Sequence, residues 1–127
     1  FAFLFLSDTI INTMLYHKSD AKSFTIPGGT EGVLYPPSLK GDQSVAVISM
    51  DGHYPKEGYS RNDVCTETLY LLEGAFEIEY DGAWHTLIPG DIFMILPDHK
   101  YRTKGKGKAC VFITPSWDSA QNHITLT

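Results

Sequence analysis

Four side chains with chemical capacity stand two residues apart: Arg61, Asp63, Cys65 and Glu67. In an extended strand successive side chains alternate between faces, so this spacing places all four on one face. A guanidinium, two carboxylates and a thiol together suggest polar recognition or acid–base chemistry. Nucleophilic attack by Cys65 is disfavoured, because two flanking carboxylates raise a thiol's pKa and Arg61 offsets them only in part. An inert core cysteine is the expectation. The five histidines, His17, His53, His85, His99 and His123, are scattered, and no two have metal-ligand spacing along one strand. His85 is expected to face solvent and His99 to occupy a surface turn. The run Lys104–Lys108 alternates lysine with glycine. It lacks the Ser/Thr and the following helix of a phosphate-binding loop, so a solvated hairpin is expected.

These residues need strands to hold them, and the chain reads as short strands divided by glycine and proline turns. The expected strands are Lys22–Ile26, Gly32–Tyr35, Ser44–Met50, Glu67–Gly74 running to a glycine turn, and Ala75–Tyr80. Asp81-Gly82 is a two-residue hairpin turn, followed by Trp84–Ile88, the turn Pro89-Gly90-Asp91 and the apolar run Ile92–Leu96. Lys100–Thr103 and Ala109–Thr114 form a last pair joined by the lysine–glycine run, and Asp51–Asn62 reads as a loop. Strands at such spacing predict an all-β sandwich or barrel. Cys110 falls in an apolar strand and reads as packing.

Two segments make the chain resemble a cupin. Glu67 and Gly74 have the spacing of the glutamate and last glycine of that family's first motif, and Tyr70-Leu71-Leu72-Glu73-Gly74 is close to its usual ending. Gly90-Asp91-Ile92-Phe93-Met94-Ile95-Leu96-Pro97 follows the second motif, with Tyr101 on its histidine position and Asp98 where a turn glycine is usual. The resemblance implies a double-stranded β-helix, or jelly-roll, barrel over residues 22–117. Residues 1–21 would be an N-terminal arm or leader remnant, and residues 118–127 a polar tail.

The resemblance also implies a metal site of three histidines and a glutamate, and here only Glu67 survives. The first two histidine positions are Arg61 and Asp63 with the shorter motif spacing, or Ser60 and Asn62 with the longer. One carboxylate and a tyrosine hold a first-row metal poorly, and Arg61 would repel a cation. No metal or other cofactor is expected. The family register points Arg61, Asp63 and Glu67 into the barrel opposite Tyr101. Three readings stand: a ligand-binding constellation, an internal salt bridge that satisfies a buried Glu67, or an atypical metal site. The leading expectation is a barrel that binds a small polar or carbohydrate-like molecule through Arg61, Asp63, Glu67 and Tyr101. The alternatives are a metal-independent sugar isomerase or epimerase with Glu67 as base and Tyr101 as acid, a metal-dependent enzyme with atypical ligands, and a structural scaffold.

The chain's 127 residues suit one domain with its own core. A net charge of −5 disfavours nucleic acid and anionic membranes as partners. Two cysteines form no disulfide framework and fit a reducing compartment, which suggests the cytoplasm. The apolar stretch Phe1–Leu6 is too short to span a bilayer, which takes about twenty residues. Exposed edge strands in such barrels suggest a homodimer.

Overall fold

The computed structural model describes residues 15–127. Phe1–Leu6 and most of the expected arm lie outside the described residues; the arm's described end holds one 3-10 turn, Lys18–Asp20. Nine strands follow: β1 (Lys22–Ile26), β2 (Thr30–Leu34), β3 (Ser44–Tyr54), β4 (Tyr59–Asn62), β5 (Thr66–Tyr80), β6 (Ala83–Leu87), β7 (Ile92–Ile95), β8 (Tyr101–Thr114) and β9 (Asn122–Thr125). All pairings are antiparallel. Strand β8 is the spine, with β3 along one side, β5 along the other and a bridge to β4 at Tyr101. The sheet curls around an apolar interior built from inward side chains such as Leu69, Leu71, Phe76, Ile78, Ile95 and Val111. Each buried chain of this size contributes roughly 1.5–3 kcal/mol. Among the described residues no helix is long and apolar enough to cross a membrane.

The strands are longer than the sequence suggests. Glu67–Gly74 and Ala75–Tyr80 are one strand, β5, with a register shift between Leu71 and Glu73 in place of the expected turn at Gly74. The lysine–glycine hairpin is likewise the middle of β8, and the expected loop Asp51–Asn62 contributes the end of β3 and all of β4. One physical reason covers these differences. Glycines that look like breakers lie where the bent sheet brings backbones together: a Cβ on Gly74 would stand 2.1 Å from the Lys106 carbonyl oxygen, and one on Gly107 2.2 Å from that of Glu73. The residues expected as a polar tail hold a second 3-10 turn, Ser119–Gln121, and then β9, which pairs with β4.

Both turn signals of the motifs have a mechanical basis. Asp81 and Gly82 take φ of 52° and 85°, which fits the two-residue hairpin between β5 and β6. At the β6–β7 corner the Asp91 carboxylate accepts the Ile88 backbone N–H at 3.0 Å, while Gly90 N–H donates to the Leu71 carbonyl at 2.9 Å. Asp98, at the position where a glycine is usual, adopts φ 67°. Asp is one of the few residues that tolerate this region.

Candidate functional site

The site begins where β4 ends. Ser60 and Asn62 are fully buried, whereas the Arg61 and Asp63 side chains keep 34 % and 43 % of their surface exposed. The expected one-face constellation is therefore divided. The chain bends between β4 and β5, and Gln121 holds the bend: its Oε1 accepts the backbone N–H groups of Val64 and Cys65, both at 3.1 Å. The bend breaks the alternation, so Glu67 shares the interior with Ser60 and Asn62. Arg61 Nη1 instead donates to Asp63 Oδ1 at 2.6 Å and to Asp98 Oδ1 at 3.3 Å on the outer surface. His123 Nε2 lies 2.7 Å from Asp63 Oδ2. The hydrogen bond from His123 and that from Arg61 hold the Asp63 carboxyl below its usual range.

Inside, one hydrogen-bonded network joins five strands. Glu67 Oε2 accepts from Asn62 Nδ2 at 2.9 Å and from the Tyr101 hydroxyl at 3.0 Å. Asn62 Oδ1 accepts from Gln121 Nε2 at 3.0 Å and Asn122 Nδ2 at 2.9 Å. Asn122 Nδ2 also donates to Ser60 Oγ at 2.8 Å, and Ser60 Oγ lies 3.2 Å from the Tyr54 hydroxyl. Both ends of the Asn62 side-chain amide are thus engaged, one by Glu67 and the other by Gln121 and Asn122. Glu67 Oε1 makes no hydrogen bond among the described residues, and Glu67 lines a cavity of about 340 Å³. Its walls are mostly apolar: Phe24, Ile26, Leu34, Ala46, Ile48, Val111, Ile113 and Trp117, with Tyr54 beside Glu67. Exposed Lys22 and Ser23 line the mouth.

Burial raises the Glu67 carboxyl above its usual range, and the hydrogen bonds from Asn62 and Tyr101 oppose that shift. Tyr101 titrates well above an ordinary phenol, first through burial and then through the charge of Glu67. It therefore remains a donor, and it stands behind the carboxylate rather than in the cavity wall. Burial also raises Tyr54.

Of the four residues singled out from the sequence, Glu67 and Tyr101 meet, while Arg61 and Asp63 meet each other elsewhere. The longer motif spacing was the signal for Ser60 and Asn62. Tyr54, Gln121 and Asn122 carry no local signal, since long-range folding alone brings them in. Cys65 is buried, with its thiol 3.4 Å from the Pro115 carbonyl and its pKa raised by that burial. His99 pairs with Asp81 at 2.8 Å and stacks on Tyr80, and His85 is exposed beside Phe93.

Comparison with solved structures settles what the curled sheet is. Over 84 % of this chain and 94 % of its own, an RmlC-like cupin from Shewanella frigidimarina superposes with a TM-score of 0.68 at 18 % identity. The chain has the cupin fold. KdgF from a Halomonas species, another similar barrel, matches 84 % of this chain and 96 % of its own at 16 % identity, TM-score 0.66. Pac13, a nucleoside dehydratase, matches 87 % of this chain and 89 % of its own at 13 % identity, TM-score 0.77; a Streptomyces Pac13 variant was solved with uridine. No protein-family model and no curated protein matches the chain. On the cupin motif, the metal positions fall on Ser60, Asn62, Glu67 and Tyr101. These supply a hydroxyl, an amide, one carboxylate and a phenol, all but Glu67 Oε1 engaged in the hydrogen-bonded network, and a first-row metal prefers imidazole or thiolate. The residues present do not fit the metal of that fold, and among the described residues no cluster of three His, Cys, Asp or Glu side chains could hold one.

Proposed function

We propose that the barrel binds a small molecule with a compact apolar body and one polar group, received by Glu67 without a transition metal. One observation carries this reading: a carboxylate with one oxygen held by Asn62 and Tyr101 and the other free of hydrogen bonds among the described residues lines an apolar cavity. Small-molecule sites have this composition, apolar walls with a few placed polar groups, and start at volumes of about 300 Å³. The cupin fold of the neighbours, which include a nucleoside dehydratase, supports a small-molecule role. A carbohydrate fits these walls poorly, because most of its hydroxyls would be buried without partners. Arg61 is too far out to fix an anionic substrate.

A second reading follows from the same oxygen. With Oε2 occupied by two donors, a proton on Glu67 resides on Oε1, facing any ligand, and the raised pKa suits general acid–base work. Tyr101 would then be a positioning residue, and Thr30 and Tyr54 would bring hydroxyl-bearing side chains to the cavity lining.

A thermal-shift screen of neutral, cationic and anionic fragments against the full chain and Glu67→Gln tests the binding reading. Stabilising fragments should lose their shift in Glu67→Gln. If no fragment of any charge stabilises the wild-type chain, the cavity is not a binding site.

A further inference from the structure

The chemistry of the cavity narrows the ligand further. Glu67 has no cationic partner: none of the ion pairs among the described residues includes it. Its two partners, Asn62 and Tyr101, are neutral donors. A buried carboxylate left without a counter-charge is costly, and it is relieved either by taking up a proton or by pairing with a cation. Among the described residues the other titratable groups near it or its cavity are Tyr54 from β3, Tyr101 from β8, Lys22 at the mouth on β1 and Cys65, whose thiol burial keeps neutral. The tyrosines are neutral, and Lys22 is exposed, so solvent screens its charge. Among the described residues the cavity interior thus carries one negative group and nothing positive. Aromatic side chains from Phe24, Tyr54 and Trp117 line the same space, and aromatic rings attract cations.

We propose that the ligand of this cavity is an organic amine, an ammonium group on a compact apolar body, with the ammonium donating to Glu67 Oε1. The inference rests on the binding reading above and adds the charge of the ligand. An ammonium supplies the counter-charge the fold omits. A neutral alcohol can hydrogen-bond to Glu67 in either protonation state but leaves the charge uncompensated, and a carboxylate is repelled.

Three probes of one shape decide it: cyclohexylmethylamine, cyclohexylmethanol and cyclohexanecarboxylate, titrated calorimetrically into the full chain at neutral pH. The amine should bind at least ten times more tightly than the alcohol, with the carboxylate weakest. In Glu67→Gln the preference for the amine should disappear. If that variant does not fold, the wild-type chain still answers: amine affinity should fall at acid pH as Glu67 takes up its proton, while alcohol affinity stays level. An alcohol or carboxylate that binds as tightly as the amine overturns the amine assignment and leaves the cavity a binding site. Silence from all three probes at millimolar concentration, together with an empty fragment screen, overturns both.

Discussion

Among the described residues Glu67 is held by neutral groups only, and this fixes what its neutralisation should do. In Glu67→Gln the side-chain carbonyl can still accept from Asn62 and Tyr101, so the network persists while the buried charge goes. The melting temperature at neutral pH should stay level or rise; a loss of several degrees would mean that the charge itself holds the network together. The pH dependence has a definite sign. Burial raises the folded carboxyl above its usual 4.5, so the folded state holds the proton longer than the unfolded chain does. The stabilising contribution is present below 4.5 and is lost as pH rises through the folded value. The difference in melting temperature, variant minus wild type, should therefore grow from acid to neutral pH. Asp63 acts in the opposite sense: its lowered pKa gives a contribution present above the usual carboxylate range and lost on acidification. Tyr101→Phe removes one of the two donors to Oε2 and should cost about 1 kcal/mol in thermal melts. It should also move the pH midpoint of ligand binding upward, since the charged form of Glu67 loses a partner.

At the scale of strands, glycines shape the barrel. Gly52 pairs with Gly105, and Gly74 with Gly107, across β3, β8 and β5, while the buried Phe76 pairs with Gly105 and packs on Gly107. This row lets the long strands bend sharply without side chains colliding. Gly107→Ala should destabilise the fold by on the order of 1–3 kcal/mol, because backbone, not a flexible chain end, blocks the new methyl. An unchanged denaturation midpoint would refute that account of the bend. The same row shows what the sequence conceals. Alternation and turn chemistry made the strand positions and the hairpin at Asp81-Gly82 legible, and the motif around Gly90-Asp91 made the fold class legible. Glycine inside a strand and glycine ending one look alike locally, so β5 and β8 read as pairs of short strands. The site was half legible for a related reason. Strand alternation holds only within an unbroken strand, and the break between Asn62 and Thr66 is held by Gln121. Nothing near Arg61 announces it.

The whole molecule leaves one sheet face uncovered among the described residues. On the outer side Val33, Val47, Cys110, Tyr70 and Ile92 form one row across β2, β3, β8, β5 and β7, and Val45, Phe112, Thr68 and Met94 form the next. Tyr70, Ile92, Met94 and Phe112 are 41 %, 57 %, 55 % and 45 % exposed, and Leu72 at the β5 bulge is 42 % exposed. These five side chains expose on the order of 500 Å² together, near the top of the range for a monomer's largest patch. The partly buried valines beside them extend the patch toward the roughly 800 Å² per partner of a standard-sized interface. Farther along the same face the charges are matched within the chain, Arg102 to Glu79 at 2.7 Å and Lys104 to Glu77 at 3.9 Å. That matching leaves no strong field to select a charged partner. We propose that a second copy covers the apolar half: a two-fold axis through it would bury both apolar rows and leave both charged halves in water. Sedimentation velocity at tens of micromolar should give a dimer for the wild-type chain and a monomer for Phe112→Lys, with the fold of the variant verified by circular dichroism. Cys110, in the middle of the patch and the more accessible of the two cysteines, provides an independent check. Its reaction with a maleimide should slow as protein concentration rises in the wild type and not in Phe112→Lys. A wild-type chain that sediments as a monomer, with Cys110 equally reactive at every concentration, would leave that face to some other partner.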